Sequence, residues 1–443
     1  MSAWRILGSV MITLAAAGTG AAQTYELVES PQAGDCAHLH LDMTLTGEMR
    51  VTKGVQVVPL KMTATATHDF PERVLAAGPN GALRKTARAY ETAKAAITIG
   101  GDKSERGLRA DRKLLVAQLD KGQALVYCPA GPLTPEELEL AGEHFNTLAL
   151  AGLLPGRAVK VGETWKVAND LAQALCGFEG LTAQDLTCKL DEVAGQAARV
   201  SVSGTAGGID LGALVKVTVQ ATYQYDLAAH HLVRLEWKQK DERDQGPASP
   251  AATLEATTTL TRATIPQPAS LSDVALISVP DGFEPPATMT QLTLHHDGRA
   301  PFDLAYAREW QLVGQTRERV LLRLMDRGDF VAQATVTPWE SAAAAKHLAP
   351  DAFREAMAKT PGWEQEEVVQ EGEIPAENGY WVYRVSAPGK MDGLKVVQTF
   401  YLVAGPKGQQ VVLAFTMTPA QAEKLGARDL ALVAGLEVPA ARK

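Results

Sequence analysis

Three pairs of histidines are the residues of this chain whose type and spacing most readily suggest chemistry: His38 with His40, His230 with His231, and His295 with His296. His38 and His40 lie two apart in an alternating stretch, so they share one face of a strand. Asp42 continues that face, and two imidazoles with a carboxylate are donors that a divalent metal accepts. The same face is the polar side of the strand, however, and a solvated edge accounts for it, so no metal ligand is assigned. His230 and His231 are adjacent, point to opposite faces and make a poor chelate; a hairpin turn explains them. The carboxylate run Asp241-Glu-Arg-Asp244, followed by Gly246-Pro-Ala-Ser-Pro250, reads as a solvated strand end whose prolines block edge pairing. Its functional reading is a rigid polar loop that contacts a partner through Arg243 and Gln245. A Gly-x-Ser-x-Gly elbow, a His-Glu-x-x-His helix and a Gly-x-Gly-x-x-Gly turn are all absent. The sequence therefore assigns no catalytic residue and no cofactor, and the expectation is a chain that is not an enzyme.

The elements that must position these groups are long strands. From Ala213 to Asp226 the odd positions are Ala213, Val215, Val217, Val219, Ala221, Tyr223 and Tyr225, against Lys216, Thr218, Gln220, Thr222 and Gln224. That is a period of two, the mark of a half-buried strand. Val233, Leu235 and Trp237 resume the pattern after a turn, and Leu254, Ala256 and Leu260 repeat it up to Ala263. Strands of this length belong to a large curved antiparallel sheet or half-barrel. Upstream, Leu39, Leu41, Met43 and Leu45 predict a strand ending near Gly47, and a second runs from Val55 to Phe70. Shorter strands follow at 87–99, 113–119 and 123–128, with a turn at Pro79-Asn-Gly81. Thr134-Pro-Glu-Glu137 is a capping box that opens a helix through Leu138, Ala141, Phe145 and Leu148, the one obvious lid for the sheet. A shorter helix is predicted from Asp170 to Leu175.

Prolines crowd residues 265–286, which predicts an extended linker between a β-rich domain at 23–264 and a second domain at 287–443. The second domain alternates short strands, among them 320–325, 330–337, 394–403 and 410–417, with helices at 350–359 and from Thr418 to about Leu436. That pattern is an α+β sandwich. Arg5, the apolar run Ile6–Ala17 and the small residues Gly18–Ala22 make residues 1–22 a signal peptide, which predicts a secreted or periplasmic protein. No later stretch approaches ~20 apolar residues, so no transmembrane segment is expected in the mature chain. Lys and Arg total 43 against 51 Asp and Glu, with no basic block, which argues against nucleic acid as a partner. The four cysteines permit disulfides in an oxidising compartment. Of the three pairings, Cys176 with Cys188 is favoured by proximity in the chain, leaving Cys36 with Cys128; four buried thiols are the alternative.

From about Met289 to Val438 the chain resembles the PsbP-like fold, on the passage Pro301-Phe-Asp-Leu-Ala-Tyr-Ala-Arg-Glu-Trp310 and the helix after the last strand. Ala307 stands where that family usually has proline. The N-terminal part resembles periplasmic half-barrel proteins of the lipoprotein-carrier kind, through its long strands and the passage Leu154-Pro-Gly-Arg-Ala-Val-Lys-Val-Gly-Glu-Thr-Trp165. Both resemblances imply non-catalytic proteins. The apolar face of Val217, Val219, Tyr223, Tyr225, Leu235 and Trp237 is the candidate ligand-binding surface: a filled core if the lid packs onto it, a pocket for a lipid if it does not. The leading expectation is a binding or assembly protein of the cell envelope whose partner is an unknown envelope protein or hydrophobic ligand. A lipid carrier and an envelope hydrolase without a recognisable motif are the alternatives.

Overall fold

The computed structural model describes residues 23–438, apart from 54–55, 79–81, 121–122, 143–144, 298–300 and 378. The signal peptide at 1–22 and the turn at 79–81 lie outside the described residues. Among the described residues the larger sheet has 14 strands and stays open. Its main path runs antiparallel from Thr164–Lys166 through Thr187–Ala194, Ala197–Asp210, Ala213–Asp226, His231–Arg243 and Ala251–Thr264. It continues through Cys36–Lys53, Gln56–Ala77, Leu83–Ala89 and Leu114–Asp120 to Gln123–Tyr127.

The three strands from Ala213 to Thr264 form as their alternation requires, while the two that precede them in the chain are longer than expected. Gly47 does not end its strand; Met49 and Val51 keep the alternation, and the strand continues to Lys53. The glycine marks a close approach instead, since a Cβ there would lie 2.2 Å from the Thr253 carbonyl oxygen. The 22-residue strand Gln56–Ala77 changes partner along its length. Met62–Asp69 pair with Thr92–Ile99, and Glu72–Ala77 pair with Leu83–Ala89.

The capping box at Thr134 forms, with Thr134 N donating to Glu137 Oε2 at 2.9 Å and Glu137 N donating to Thr134 Oγ1 at 3.2 Å. The helix it opens is described over Pro135–Gly142, and Phe145 and Asn146 lie outside it, so it is shorter than expected. Asn146 caps a separate 3-10 turn, Thr147–Leu153, by accepting from Leu148 N at 3.1 Å. The second helix occupies Asn169–Cys176.

Beyond residue 286 an eight-stranded antiparallel sheet carries the helix Pro350–Ala358 on one face. Phe353 and Met357 pack there on Tyr383, Val385, Phe400 and Leu402. A capping box at Thr418 opens the helix Pro419–Leu425, which does not continue to about Leu436 as expected but breaks at Gly426, in the left-handed region at φ 60°, before a second helix, Arg428–Ala434. One contiguous cluster of buried residues runs from Leu27 through Tyr223 and Trp310 to Val438, so the two large sheets share a core. Thr293 N donates to Leu133 O at 2.9 Å, and Arg308 Nη2 donates to Val126 O at 2.6 Å across the same junction.

All four cysteines are thiols, which corrects both expected disulfides. Cys188 faces the core opposite Val202, level with Ala221 and Trp237, whereas Cys176 closes its helix within reach of the Asp241 charge. Asp241 is four residues further along its strand than Trp237, about 13 Å at 3.3 Å per residue, so the two thiols meet different neighbours although they are close in sequence. Burial pushes both thiols up to about 12, which keeps them protonated and inert. Cys36 heads its strand opposite Arg73, while Cys128 lies beyond the Gln123–Tyr127 edge strand.

The proline-rich segment 265–286 has little regular structure yet is strapped to the larger sheet. Arg73 Nη1 donates to Leu271 O at 2.9 Å, Lys85 Nζ to Gly282 O at 2.7 Å, and Gln118 Nε2 to Phe283 O at 2.7 Å. Its large apolar side chains stand furthest clear at the tip, with Val274 83% and Ile277 87% exposed against 37% for Phe283. Subtilisin is therefore expected to nick the chain near Val274–Ile277 and to spare 279–286. Lys85→Met should extend cleavage into 279–286; equal protection of that stretch in both proteins would show that the lysine does not hold it.

Candidate functional site

The inner face of the larger sheet divides into two halves. In the first, Val217, Val219, Tyr223, Tyr225, Leu235 and Trp237 are each no more than 1% exposed. The 3-10 turn Thr147–Leu153 fills this half. Tyr223 Oη and Trp165 Nε1 each donate to the Leu153 carbonyl at 3.0 Å, and Phe145 meets the Trp237 ring edge-on with centroids 5.7 Å apart. The N-terminal strap closes the rim. Tyr225 Oη donates to Val28 O at 2.7 Å, and the buried Glu29 carboxylate accepts from Leu232 N at 2.5 Å and from Arg262 Nη2 at 2.6 Å. The six residues singled out from the sequence are thus brought together, as packed core.

The second half is the continuation of the same face. In register across four strands lie Ala256, Leu45, Ala64 and Ile97, and beside them Leu254, Gly47, Met62 and Ile99. Met43, Leu45, Met49, Leu60, Met62, Ala64, Ala66, Leu254 and Ala256 are only half-buried. They form an apolar strip roughly 20 Å long, taking six residues at 3.3 Å each, and about 14 Å wide, taking three strand spacings; below it is called the trough. Sequence reasoning stopped the Cys36 strand at Gly47 and missed this extension; the alternation of Met49 and Val51 was the available signal.

A polar chain borders the trough. Trp237 Nε1 donates to Gln239 Oε1 at 2.8 Å, and Gln239 Nε2 donates to the Asp241 oxygens at 3.1 and 3.0 Å. Asp241 therefore points inward and is largely buried, contrary to the expectation of a solvated strand end, because the strand keeps its alternation to Arg243. Burial pushes its carboxyl up to about 6. Burial also raises Asp210, which Arg243 Nη1 meets at 3.3 Å, and Glu179. Gln245 spends its amide on Gly246 O and Ser249 O, both at 2.9 Å, shaping its own turn.

On the outer face, His38 and His40 do share one side of their strand with Asp42, and neighbouring strands add two carboxylates. His38 Nε2 lies 3.0 Å from Asp69 Oδ1 and 3.9 Å from Glu91 Oε2. His40 Nδ1 lies 3.4 Å from Asp69 Oδ2, and its Nε2 lies 3.1 Å from Asp42 Oδ2. Thr67 Oγ1 donates to Asp42 Oδ1 at 2.8 Å and, with His40, holds that carboxyl below its usual range. His230 sits in the hairpin turn with φ 53°, and His231 contacts the Ala229 carbonyl at 3.0 Å, a turn role for both. His295 is flanked on opposite ring nitrogens by Asp297 at 2.7 Å and Asp303 at 2.5 Å, which lifts its pKa.

No family model and no curated protein matches this chain. Among solved structures it resembles the cyanobacterial PsbP protein CyanoP from Synechocystis sp. PCC 6803, 13% identical, covering 36% of this chain and 96% of that one at a TM-score of 0.27. Lipovitellin, the subject of a structure on lipid–protein interactions, is 8% identical over 54% of this chain at a TM-score of 0.29; this chain spans 26% of its length. The type VI secretion immunity protein TplEi from Pseudomonas aeruginosa is 10% identical over 58% of this chain and 96% of its own, at a TM-score of 0.19. Likeness at this level carries no argument about activity.

The raised Asp241 carboxyl gives a signed pH dependence. Its folded pKa of about 6 lies above the 3.8 of an ordinary aspartate, so the folded state holds the proton more tightly. Stability from this group is fully present at low pH and is lost as pH rises through about 6. Asp241→Asn is expected to gain about 1 to 2 kcal/mol on the wild type at pH 8, allowing for partial exposure, and to lose that gain near pH 4. Melting curves across this range check it; a difference that does not vary with pH would place the carboxylate in water.

Proposed function

We propose that this chain is a non-catalytic, secreted or periplasmic binding protein of the cell envelope, a half-barrel followed by a PsbP-like α+β sandwich. Its open trough takes the apolar part of a lipid or lipid-like ligand. The observation that carries this reading is the division of one continuous apolar face into a plugged half and a half-buried one. A core residue is normally covered on all sides, and leaving a strip of this size half-wet costs free energy unless something lies on it. Three methionines, Met43, Met49 and Met62, give the floor the adaptability of a surface that fits chains of varied shape. Gln239 and Asp241 supply the few polar groups that orient a ligand at the rim of such a site. Among the described residues no helix is long and apolar enough to cross a membrane, which is compatible with a chain that meets lipid by holding it.

The enzymatic alternative has no support from a nucleophile beside a base: the thiols are buried and the histidines lie in turns, on the outer face or in hydrogen bonds to backbone. Organic extraction of protein purified from its native compartment should release a stoichiometric lipid, and a fluorescent fatty acid should bind the delipidated chain. Met62→Glu, on the trough floor, is expected to weaken that probe at least tenfold with circular dichroism unchanged. A clean extract with no probe binding would overturn the ligand, and turnover on an ester, peptide or glycoside panel that a point mutation abolishes would overturn the non-catalytic reading.

A further inference from the structure

We propose that His38, Asp69 and Glu91 form a binding site for a divalent transition-metal ion of the zinc class on the outer face of the larger sheet. The site is distinct from the trough, so it does not depend on the ligand proposed there. One donor atom from each of the three residues lies within 4.8 Å of the other two. Donors around a tetrahedral zinc sit about 2.0 to 2.2 Å from the metal, which places them roughly 3.3 to 3.6 Å from one another. The separations of 3.0 Å from His38 Nε2 to Asp69 Oδ1 and 3.9 Å from His38 Nε2 to Glu91 Oε2 straddle that range. Small side-chain adjustments would complete the shell, with water in the remaining position.

The charge around this centre calls for a cation. Asp42, Asp69 and Glu91 bring three carboxylates together, and among the described residues their ion-pair partners are His38 and His40, with no lysine or arginine within 4.0 Å. Asp69 Oδ1 is shielded from solvent and receives no hydrogen bond, although it faces His38 Nε2. A shielded carboxylate oxygen whose polar neighbour is an imidazole nitrogen is stabilised when a positive centre meets both. One imidazole with two carboxylates suits zinc, cobalt or nickel better than calcium or magnesium, which prefer oxygen alone.

The backbone fixes the three residues where they are needed. Asp69 stands where its strand changes partner from Thr92–Ile99 to Leu83–Ala89, and Glu91 occupies the short turn between those two strands. Glu91 N donates to Asp69 O at 2.9 Å and Tyr90 N to Lys113 O at 2.8 Å, which pins that turn. His38 lies beside Pro71 and His40 beside Asp69 on the adjoining strand. His40 is a positioning residue: it bridges Asp69 Oδ2 and Asp42 Oδ2, and Thr67 anchors Asp42 in turn, so one oxygen of Asp69 is held while the other faces the metal. The His295 cluster provides the contrast. Its two carboxylates flank opposite ring nitrogens, so no single point lies near all three donors.

Isothermal titration of the untagged full chain with zinc chloride, after dialysis against a chelator, tests the site. One zinc per chain is expected at micromolar affinity or tighter, with calcium and magnesium failing to compete. His38→Ala and Asp69→Asn should each weaken binding at least 100-fold, His40→Ala about tenfold, and His295→Ala not at all. If His38→Ala alters the circular dichroism, Glu91→Gln, at an exposed turn position, carries the same expectation. X-ray absorption at the zinc edge should show nitrogen and oxygen neighbours. Absence of binding, affinity undiminished in the folded His38 and Glu91 variants, or a sulfur shell from the thiols would each overturn the proposal.

Discussion

An open sheet of long strands has one apolar face that must be covered along its whole length, and this constraint governs the rest of the molecule. Burying apolar surface is worth roughly 25 cal/mol per Å², so each uncovered row of side chains forfeits stabilisation. The chain covers one half of the face with short pieces: a two-turn helix, a 3-10 turn and the N-terminal strap. On Ala213–Asp226 the face stays buried even at Val219 and Val217, opposite Gln239 and Asp241; it opens on the strands beyond, at Leu254 and Ala256 and their neighbours. The division of the face follows from where its cover lies.

An open sheet also has edges that could pair with other chains. The ends of the main path are strands of three and five residues, Thr164–Lys166 and Gln123–Tyr127. The side branch ends in Asp102–Gly107, where Asp102, Lys103, Glu105 and Arg106 place charge along the rim. Short and charged edges discourage strand addition from outside. That leaves the two faces of the larger sheet, and the half-buried apolar strip and the histidine–carboxylate cluster lie on opposite ones.

Much of this was legible in the sequence where one period dominated. The alternation from Ala213 to Ala263 revealed three strands, the first to the residue and the second short of its end at Arg243, and the boxes at Thr134 and Thr418 marked two helix starts. The misreadings came from residues whose meaning depends on a neighbour distant in the chain. Gly47 looked like a strand end because its cause, the Thr253 carbonyl, is about two hundred residues away in sequence. Cys176 and Cys188 looked like a pair because nothing local reveals that their elements lie at different levels of the sheet. His38, His40 and Asp42 were visible as donors on one face, but Asp69 and Glu91 join them only once two further strands are in register.

The plugged half is locked by polar contacts, and this is why the trough is confined to the other end. Glu72 accepts from Thr86 Oγ1 at 3.0 Å and Arg88 Nε at 2.8 Å, and Arg88 Nη2 donates to Thr147 Oγ1 at 2.6 Å, tying the sheet to the start of the 3-10 turn. His68 Nε2 meets Leu140 O at 2.7 Å and Tyr90 Oη donates to Ala141 O at 3.3 Å, tying it to the helix before that turn. Glu29 with Arg262 does the same for the strap. Lifting the cover would part Glu29 from Arg262 and take from Arg88, His68 and Tyr90 the hydrogen bonds they make to it, while the Glu72–Arg88 pair would stay within the sheet. Apolar packing alone would tolerate sliding of the cover along the face, because it has no direction. The charged and hydrogen-bonded ties give the cover one position, so the exposed half of the face keeps the same residues.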